Sequence, residues 1–306
     1  MRIVYMGTPE IAKTCLKRIY EDGHEIAAVY TKVDTPKNRG MKLTPSPVKE
    51  FALAHDLPVI QPVTFRDDAV VEELAALKPE LICVVAYGKI LPQRVLDIPK
   101  YGCINIHASL LPKLRGAGPI QWSILNGDAE TGVTAMYLSA GMDEGDMIDK
   151  LTTPIADTDT TETLTNRLAD LGAELLSRTV TAIANGTAER TPQNPAEATY
   201  APMLRKDMAP INWNRSFEEI SCQVRGMIPW PVATMELDGK LCKVFSVRKL
   251  DKTTEKAPGM PVASTKKGLE MACAGGQVLL VEEIQAQGGK RMRCADYLRG
   301  HPIAID

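Results

Sequence analysis

The sequence lacks several features that mark whole classes of proteins. Its apolar runs are far too short to cross a bilayer, and no signal-peptide segment is present near the N-terminus. Its seven cysteines stand singly, with no Cys-x-x-Cys pair, which removes the common zinc and redox motifs. The net charge is only −2, so any binding of nucleic acid must rest on local patches. These absences predict a soluble, cytoplasmic protein with reduced thiols.

The composition is that of a folded protein with two domains. Of its 306 residues, 44% are hydrophobic and 24% are charged, which is enough for a sizeable core. From Asp207 to Asp306 there are 14 Lys and Arg against 12 Asp and Glu, a net charge of +2 that leaves −4 for the first 206 residues. The two parts of the chain therefore differ in the sign of their charge.

The first half of the chain alternates short apolar runs with amphipathic segments. The predicted strands are Ile3–Met6, Glu25–Thr31, Leu81–Ala86, Cys103–His107, Val133–Leu138 and Met147–Thr152. The predicted helices include Val48–His55, Ala69–Leu77 and Thr160–Asn185. Alternating strands and helices predict an α/β domain with a doubly wound, mostly parallel sheet that is covered on both faces.

A change of composition predicts the domain boundaries. Residues 186–202 carry one Gly, three Pro and several polar side chains, with few large apolar residues, which is typical of an exposed linker. Beyond it, Asp238-Gly239 and Gly275-Gly276 each separate two short apolar runs, which is a hairpin signal. We therefore predict a first domain over 1–188, a linker over 189–206, and a small, OB-like β-barrel over 207–306.

One stretch, Cys103-Ile-Asn-Ile-His-Ala-Ser-Leu-Leu-Pro112, combines a strand pattern with polar side chains. Residues two apart in a strand share a face, so Asn105 and His107 lie together, with the isoleucines opposite. In an open α/β sheet the ligand crevice lies at the carboxyl ends of the strands, where His107 is placed. From the spacing alone, an active site and a buried, fully hydrogen-bonded polar pair are about equally good interpretations.

A second stretch, Gly141-Met-Asp-Glu-Gly-Asp146, places glycines on both sides of Asp143. The glycines indicate a tight loop that can direct a carboxylate into a cleft. The alternatives are a calcium site, for which the required spacing is missing, and a solvated acidic loop. On these residues alone the solvated loop is the better interpretation.

Basic residues cluster in the long segment 31–47 between a predicted strand and helix. It includes Lys37, Arg39 and Lys42 against Asp34 alone. A long cationic loop beside a cleft predicts a phosphate or RNA contact, with a solvated surface loop as the alternative. Lys290, Arg291 and Arg293 form a shorter basic run in the second domain, and such runs are commonly just solvated.

Taken together, these segments resemble the 10-formyltetrahydrofolate-dependent formyltransferases over nearly the whole chain. The resemblance depends on the two stretches above and on further matching motifs. These are Gly7-Thr-Pro9, residues 39–49, Val85-Ala-Tyr-Gly88, Arg115-Gly-Ala-Gly-Pro-Ile-Gln121, Gly127–Val133, Ile211-Asn-Trp213 and Pro229-Trp-Pro231. Two departures are Met41, where a second Lys often precedes the Leu, and Lys113-Leu114, which replaces a commoner Arg-Trp.

The resemblance implies a Rossmann-like catalytic domain and roles for particular residues. Asn105, His107 and Asp143 would be catalytic. The expected folate-binding residues are Ser109, Leu110, Leu111, Pro112, Val85, Ala86, Tyr87 and Gly88. The expected tRNA-binding residues are Arg39, Lys42, Lys37, Lys290, Arg291 and Arg293. The expected formyl donor is 10-formyltetrahydrofolate without a metal, the expected acceptor is initiator methionyl-tRNA, and we expect a monomer.

The chemistry of the three implied catalytic side chains agrees with formyl transfer to an amine. The Asn105 amide can donate to the oxyanion of a tetrahedral intermediate, a contribution of about 3 kcal/mol. His107 can remove a proton from the amine or act as an imidazolium, and Asp143 can orient its ring. The rival interpretations are formyl transfer to a nucleotide sugar or purine precursor, formyl-folate hydrolysis, an NAD-dependent oxidoreductase without its glycine fingerprint, and a non-catalytic RNA-binding protein.

Overall fold

The computed structural model describes residues 1–37 and 42–305, which form two compact units. The first unit comprises Met1–Pro119, Thr131–Thr153 and Thr165–Ala201. The second comprises Ile120–Glu130, Pro154–Leu164 and the chain from Pro202 onward. The second unit thus takes in two segments from the first half of the chain, which the composition does not indicate. The boundaries at 188, 189–206 and 207 stay a prediction.

Fifteen strands and eight helices are present in the described residues. The strands are β1 (Arg2–Gly7), β2 (Glu25–Tyr30), β3 (Thr35–Lys37), β4 (Lys42–Thr44), β5 (Val59–Ile60), β6 (Leu81–Val85), β7 (Cys103–His107), β8 (Glu130–Tyr137), β9 (Met147–Pro154), β10 (Thr234–Leu237), β11 (Lys240–Thr253), β12 (Pro261–Thr265), β13 (Gly268–Ala272), β14 (Gln277–Ala286) and β15 (Met292–Arg293). The helices are α1 (Glu10–Glu21), α2 (Pro47–Ala54), α3 (Asp68–Ala76), α4 (Gln93–Leu96), α5 (Pro119–Leu125), α6 (Thr161–Ala184), α7 (Phe217–Gly226) and α8 (Cys294–Gly300). Within the described ranges, none of the helices is both long and apolar enough to span a membrane.

The first unit is built on a seven-stranded sheet in the order β5-β2-β1-β6-β7-β8-β9. The pairs from β5 to β7 are parallel, and β8 joins β7 in the antiparallel sense. The predicted mostly parallel sheet is therefore confirmed, and the long predicted helix corresponds to α6. The parallel strands end along one edge, so the loops that leave β1, β6 and β7 lie at neighbouring positions of the sheet.

Both faces of this sheet are covered, as its apolar strands require. Ile3, Val4, Tyr5 and Met6 of β1 are all fully buried, although successive side chains point to opposite faces. Gly7, which ends β1, has no room for a side chain, since a Cβ there would lie 2.7 Å from the Cβ of Ala12 in α1. This close approach explains a glycine between the strand and the helix.

The basic segment 31–47 contains a short hairpin where the sequence indicates only a loop. Strands β3 and β4 pair antiparallel, with Thr35 opposite Thr44 and Lys37 opposite Lys42. At its base, the buried hydroxyls of Thr31 and Ser46 hydrogen-bond at 2.7 Å. The long-loop prediction was wrong in this respect, because the backbone pairing between the two arms is not visible in a Pro- and Lys-rich pattern. Arg39 lies outside the described residues.

The second unit contains a six-stranded antiparallel sheet in the order β10-β11-β14-β13-β12, with β15 on β14. Both hairpin signals are confirmed, since Asp238 and Gly239 have φ of 52° and 67° and Gly275 and Gly276 have φ of 67° and 69°. Helix α7 was missed, although the Ser216 and Glu219 side chains form a capping box at its start. The OB-like closure of this sheet stays a prediction.

Candidate active site

Strand β7 positions Asn105 and His107 on one side of the sheet. The strand is hydrogen-bonded to β6 and to β8, where Asn105 lies opposite Met136 and His107 opposite Thr134. The intervening isoleucines are buried, whereas the Asn105 side chain is half-buried. Within residues 1–37 and 42–305, the Asn105 amide has no hydrogen-bond partner. Its N–H and C=O groups are therefore available to a bound molecule, as a purely structural core pair would not be.

His107 is buried and fixed at one ring nitrogen. Its Nε2 lies 2.9 Å from the Leu114 carbonyl oxygen. A carbonyl oxygen can only accept a hydrogen bond. Nε2 therefore carries the hydrogen and donates the hydrogen bond to Leu114. The lone pair of the neutral ring is consequently on Nδ1, which lies 3.6 Å from Oδ2 of Asp143. This arrangement leaves Nδ1 as the nitrogen that can gain or lose a proton.

Asp143 meets His107 from a separate loop with a strained backbone. Its φ of 53° is in the left-handed region, which non-glycine residues rarely adopt. Its Oδ2 accepts a 2.8 Å hydrogen bond from the Gly116 backbone N–H, and its side chain is only 16% exposed. The structure therefore places all three implied catalytic residues together, and it excludes the interpretation of Asp143 as a freely solvated acid.

Two partners of this triad come from residues to which the sequence assigned no role in the site. The Leu114 carbonyl and the Gly116 N–H flank Arg115 in the loop after β7. The Arg115-Gly116 motif was noted only as part of the resemblance, and no local signal indicated that its backbone would contact His107 and Asp143.

The segment Ser109–Pro112 forms the start of that loop, and its side chains point mostly inward. The Ser109 hydroxyl donates to the Lys113 carbonyl at 2.6 Å. Thr134, fully buried on β8, donates to the Ser109 carbonyl and accepts from the Leu111 N–H. Leu111 packs with Met136 and Met147. These contacts fix the loop backbone beside His107, and folate binding by this segment stays a prediction.

The segment Val85–Gly88 continues β6 at the same edge of the sheet. Val85 and Tyr87 are buried, whereas Ala86 and Gly88 are exposed and both have positive φ. The Lys32 ammonium lies so close to Gly88 that it would clash with a Cβ at that position. Buried and exposed residues thus alternate along this segment. Its contact with folate stays a prediction.

The predicted tRNA-binding residues are dispersed. For Lys37 and Lys42 only the backbone, in β3 and β4, is described. In the second unit, Arg291 pairs with Glu283 and its guanidinium lies 4.4 Å from the Phe245 ring centre. Arg293 precedes α8 and lines a groove with Lys266 and Arg299, while Lys290 is exposed. Arg291 is thus already paired, whereas Arg293 lines a groove in which Arg299 is paired with Asp296.

Comparison with known families matches both parts of the chain. The family model described as "Formyl transferase" matches residues 1–180, and "Formyl transferase, C-terminal domain" matches residues 203–302. A methionyl-tRNA formyltransferase from Alkaliphilus oremlandii is 48% identical over 303 residues, covering 99% of this chain and 97% of its own length. The methionyl-tRNA formyltransferase of Bacillus subtilis is 45% identical over 299 residues, covering 98% of this chain and 94% of its own.

Solved structures with low sequence identity share the fold. An N-formyltransferase from Helicobacter canadensis, in complex with folinic acid and dTDP-3-aminofucose, has a TM-score of 0.69 at 22% identity, covering 91% of this chain and 98% of its own. HypX from Aquifex aeolicus, in complex with tetrahydrofolic acid, has a TM-score of 0.67 at 18% identity. That match covers 100% of this chain, which spans 48% of the HypX chain. From the two family models and the full-length relatives, we conclude that the chain belongs to the formyl transferase family.

Proposed function

We propose that this protein transfers the formyl group of 10-formyltetrahydrofolate to the α-amino group of methionine on initiator methionyl-tRNA. The observation that supports the acceptor is the 48% identity, over nearly the whole of both chains, to a protein named methionyl-tRNA formyltransferase. The observation that supports the chemistry is on β7: Asn105, whose amide has no hydrogen-bond partner among the described residues, lies two positions before the buried His107, which contacts Asp143.

In this proposal Asn105 stabilises the oxygen that becomes negative during transfer. Its amide N–H donates to the formyl oxygen, and hydrogen bonds to developing charge in a partly dry site contribute about 3 kcal/mol. Because the amide makes no other hydrogen bond within the described residues, it does not have to break one before it binds the substrate. Asn105 is therefore an available donor.

His107 accepts a proton from the attacking amine. The neutral ring offers its lone pair at Nδ1, since Nε2 is held by the Leu114 carbonyl. After proton transfer the imidazolium faces the Asp143 carboxylate, which stabilises the charge. The Gly116 N–H donates to the same Asp143 oxygen and so helps to hold the carboxylate in place. When the tetrahedral intermediate collapses, the bond between the formyl carbon and N10 of the folate breaks, and His107 returns the proton to N10, so that tetrahydrofolate leaves and the amine stays formylated.

The donor and the acceptor are proposed to approach from the edge at which β1, β6 and β7 end. The folate would contact the segments 85–88 and 109–112, and the RNA would contact the basic segment with Lys37, Arg39 and Lys42. In the second unit, the groove with Arg293 offers further cations for phosphates. The overall charge of −2 does not oppose this, because phosphate binding depends on local cations.

A formyl-incorporation assay with four acceptors tests the proposal. The protein is incubated with 10-formyltetrahydrofolate and, separately, charged initiator methionyl-tRNA, the same tRNA uncharged, glycinamide ribonucleotide and a nucleotide-linked amino sugar. We expect formyl incorporation only into the charged tRNA. Transfer to glycinamide ribonucleotide or the amino sugar, with none to the charged tRNA, would contradict the proposed acceptor.

A further inference from the structure

We infer that Gln193 is a positioning residue for formyl transfer. Its side-chain amide joins the loop between β8 and β9, which carries Asp143 (the Asp143 loop), to the loop after β7, whose backbone contacts His107. This inference rests on the proposed function, since it concerns how that same site is kept in order. Gln193 lies in the segment that the composition marks as a linker, and most of that segment is exposed. Gln193 itself is 9% exposed and thus buried.

Every hydrogen-bonding group of the Gln193 amide is used. Its Nε2 donates to the Asp143 carbonyl at 2.7 Å and to the Gly145 carbonyl at 2.9 Å. Its Oε1 accepts from the Arg115 guanidinium, from Nε at 3.1 Å and from Nη2 at 2.8 Å. A buried amide with two donors and two acceptor sites occupied has one low-energy orientation, so the loop and the guanidinium are fixed relative to each other.

The partner of this amide, Arg115, connects it to His107. Arg115 is 4% exposed, and its backbone neighbours are Leu114 and Gly116. Leu114 supplies the carbonyl that accepts from His107, and Gly116 supplies the N–H that donates to Asp143. A fixed Arg115 side chain therefore constrains both backbone groups on which the contact between His107 and Asp143 depends.

The chain around Gln193 supports the same loops through its backbone. Thr191 and Met147 exchange two 2.9 Å hydrogen bonds just after the Asp143 loop. Further along, the Arg115 N–H donates to the Thr199 carbonyl at 2.8 Å, and Ala201 donates to the Arg115 carbonyl at 2.7 Å. Residues 191–201 are thus a strap across the two loops, and Gln193 is its buried side-chain contact with the strained residue Asp143.

Without this contact one of the few groups that hold the Asp143 backbone is lost. Its φ of 53° is in the left-handed region, which Asp adopts more readily than most non-glycine residues but still at a cost in free energy. Displacement of a catalytic group by about 1 Å can lower turnover roughly 100-fold. The inferred role predicts a loss in the chemical step with little change in how substrates bind.

The test is Gln193→Glu, which keeps the acceptor for Arg115 and replaces the amide donor by an oxygen facing two carbonyl oxygens. We expect kcat for methionyl-tRNA formylation to fall about 10- to 100-fold, with KM for folate and for tRNA within about twofold of wild type. The control is Asn194→Asp, the same chemical change one residue away at an exposed position, which should leave kcat within about twofold.

A double-mutant cycle separates positioning from general destabilisation. In an Asp143→Ala background, Gln193→Glu should lower kcat by no more than about twofold, because the group that it positions is gone. An equal loss in both backgrounds, or a folded Gln193→Glu protein with wild-type kcat, would overturn the inference. Should Gln193→Glu fail to fold, Arg115→Lys, which loses the two-point contact with Oε1, is taken through the same cycle with the same expectation.

The cycle also distinguishes this inference from the proposed function. Wild-type turnover in Asp143→Ala alone would remove the proposed catalytic site and leave nothing for Gln193 to position. A large loss in Asp143→Ala together with normal turnover in Gln193→Glu would leave the site in place and remove only the positioning role.

Discussion

The strand side and the loop side of the candidate site are held by different forces. Asn105 and His107 stand on β7, which is hydrogen-bonded on both edges and packed between buried strands. Asp143 stands on a loop at φ of 53°, where its position depends on the Gly116 N–H and on the Gln193 amide. Regular backbone pairing supports Asn105 and His107, the strand side. A few individual hydrogen bonds support Asp143, the loop side.

This difference teaches where the site should be robust and where it should be fragile. A strand inside a sheet keeps its position when one neighbouring side chain changes, because many backbone hydrogen bonds to both adjacent strands hold it in place. A strained loop residue loses its geometry when one of its few partners is removed. We therefore expect substitutions on the strand to act through chemistry and substitutions around the loop to act through position.

The largest expected effect is on the strand side. His107→Ala should lower kcat by about 10²- to 10⁴-fold, because it removes the group that accepts the proton. The affinity for charged initiator tRNA, measured by filter binding, should remain near that of the wild type. A folded His107→Ala protein with normal turnover would show that the strand side carries no chemistry.

The next effect compares two glycines in the Asp143 loop. A Cβ on Gly145 would lie 1.8 Å from the Tyr137 carbonyl oxygen, so the backbone must move, whereas a Cβ on Gly141 meets only the end of the exposed Glu144 side chain. Gly145→Ala should therefore lower kcat about 10- to 100-fold and destabilise the protein by about 1–3 kcal/mol.

Gly141→Ala is the matched control for that loop, with kcat expected within about threefold of wild type. Turnover and urea unfolding are measured for both variants. Equal effects of the two substitutions would mean that the position of Asp143 does not depend on the close approach at Gly145.

A smaller effect is expected in the basic segment, which is predicted to bind RNA and not to carry chemistry. Arg39→Ala and Lys42→Ala should each weaken tRNA binding by up to about tenfold and leave folate binding unchanged, because each phosphate contact releases counterions. The measurement is tRNA affinity at several salt concentrations, with a shallower salt slope in each variant. An unchanged slope would count against phosphate contacts in this segment.

The smallest effect concerns the core around β7, which contains three buried thiols on α1, β6 and β7. Burial raises the pKa of Cys15 and of Cys103 to about 12, and burial likewise raises the pKa of Cys83. An unfolded thiol has a pKa of about 8.5, so the unfolded state loses these protons first and the stability falls as pH rises above that value.

The measurement is the urea midpoint from pH 7.5 to 10, with Cys83→Ala as the comparison. Wild type should lose stability across this range, and the variant should lose less. Burial also raises the pKa of the thiols of Cys222, Cys242, Cys273 and Cys294, so it is the difference between wild type and Cys83→Ala that reports on the core around β7. A pH-independent midpoint in the wild type would contradict the assignment of raised thiol pKa values.

The sequence predicted the strand side well because its pattern is local. Alternation in Cys103–His107 predicted that Asn105 and His107 share a side, and the structure has β7 at the same two ends. Apolar runs likewise predicted the parallel sheet, and the Asp-Gly and Gly-Gly turns predicted hairpins in the second unit. Helix α7 carried a capping box that could have been recognised from the spacing of Ser216 and Glu219.

The loop side could not be predicted from local patterns. Gln193 lies 50 residues from Asp143 along the chain, and its neighbours Pro192 and Asn194 indicate only an irregular segment. The Leu114 and Gly116 contacts use backbone groups, which every residue has, so residue identity carries no signal for them. Only the resemblance to formyltransferases separated Asp143 from a solvated acid before its contacts were known.

The most direct test of the proposed site is the single-turnover rate of formyl transfer by Asn105→Ala, with exposed Asn185→Ala as the control. The account predicts a rate about 10²- to 10³-fold below wild type, because the donor to the developing oxyanion is removed, with folate and tRNA affinities and the thermal midpoint unchanged. Asn185→Ala should transfer at the wild-type rate. A folded Asn105→Ala protein that also transfers at the wild-type rate would contradict the account.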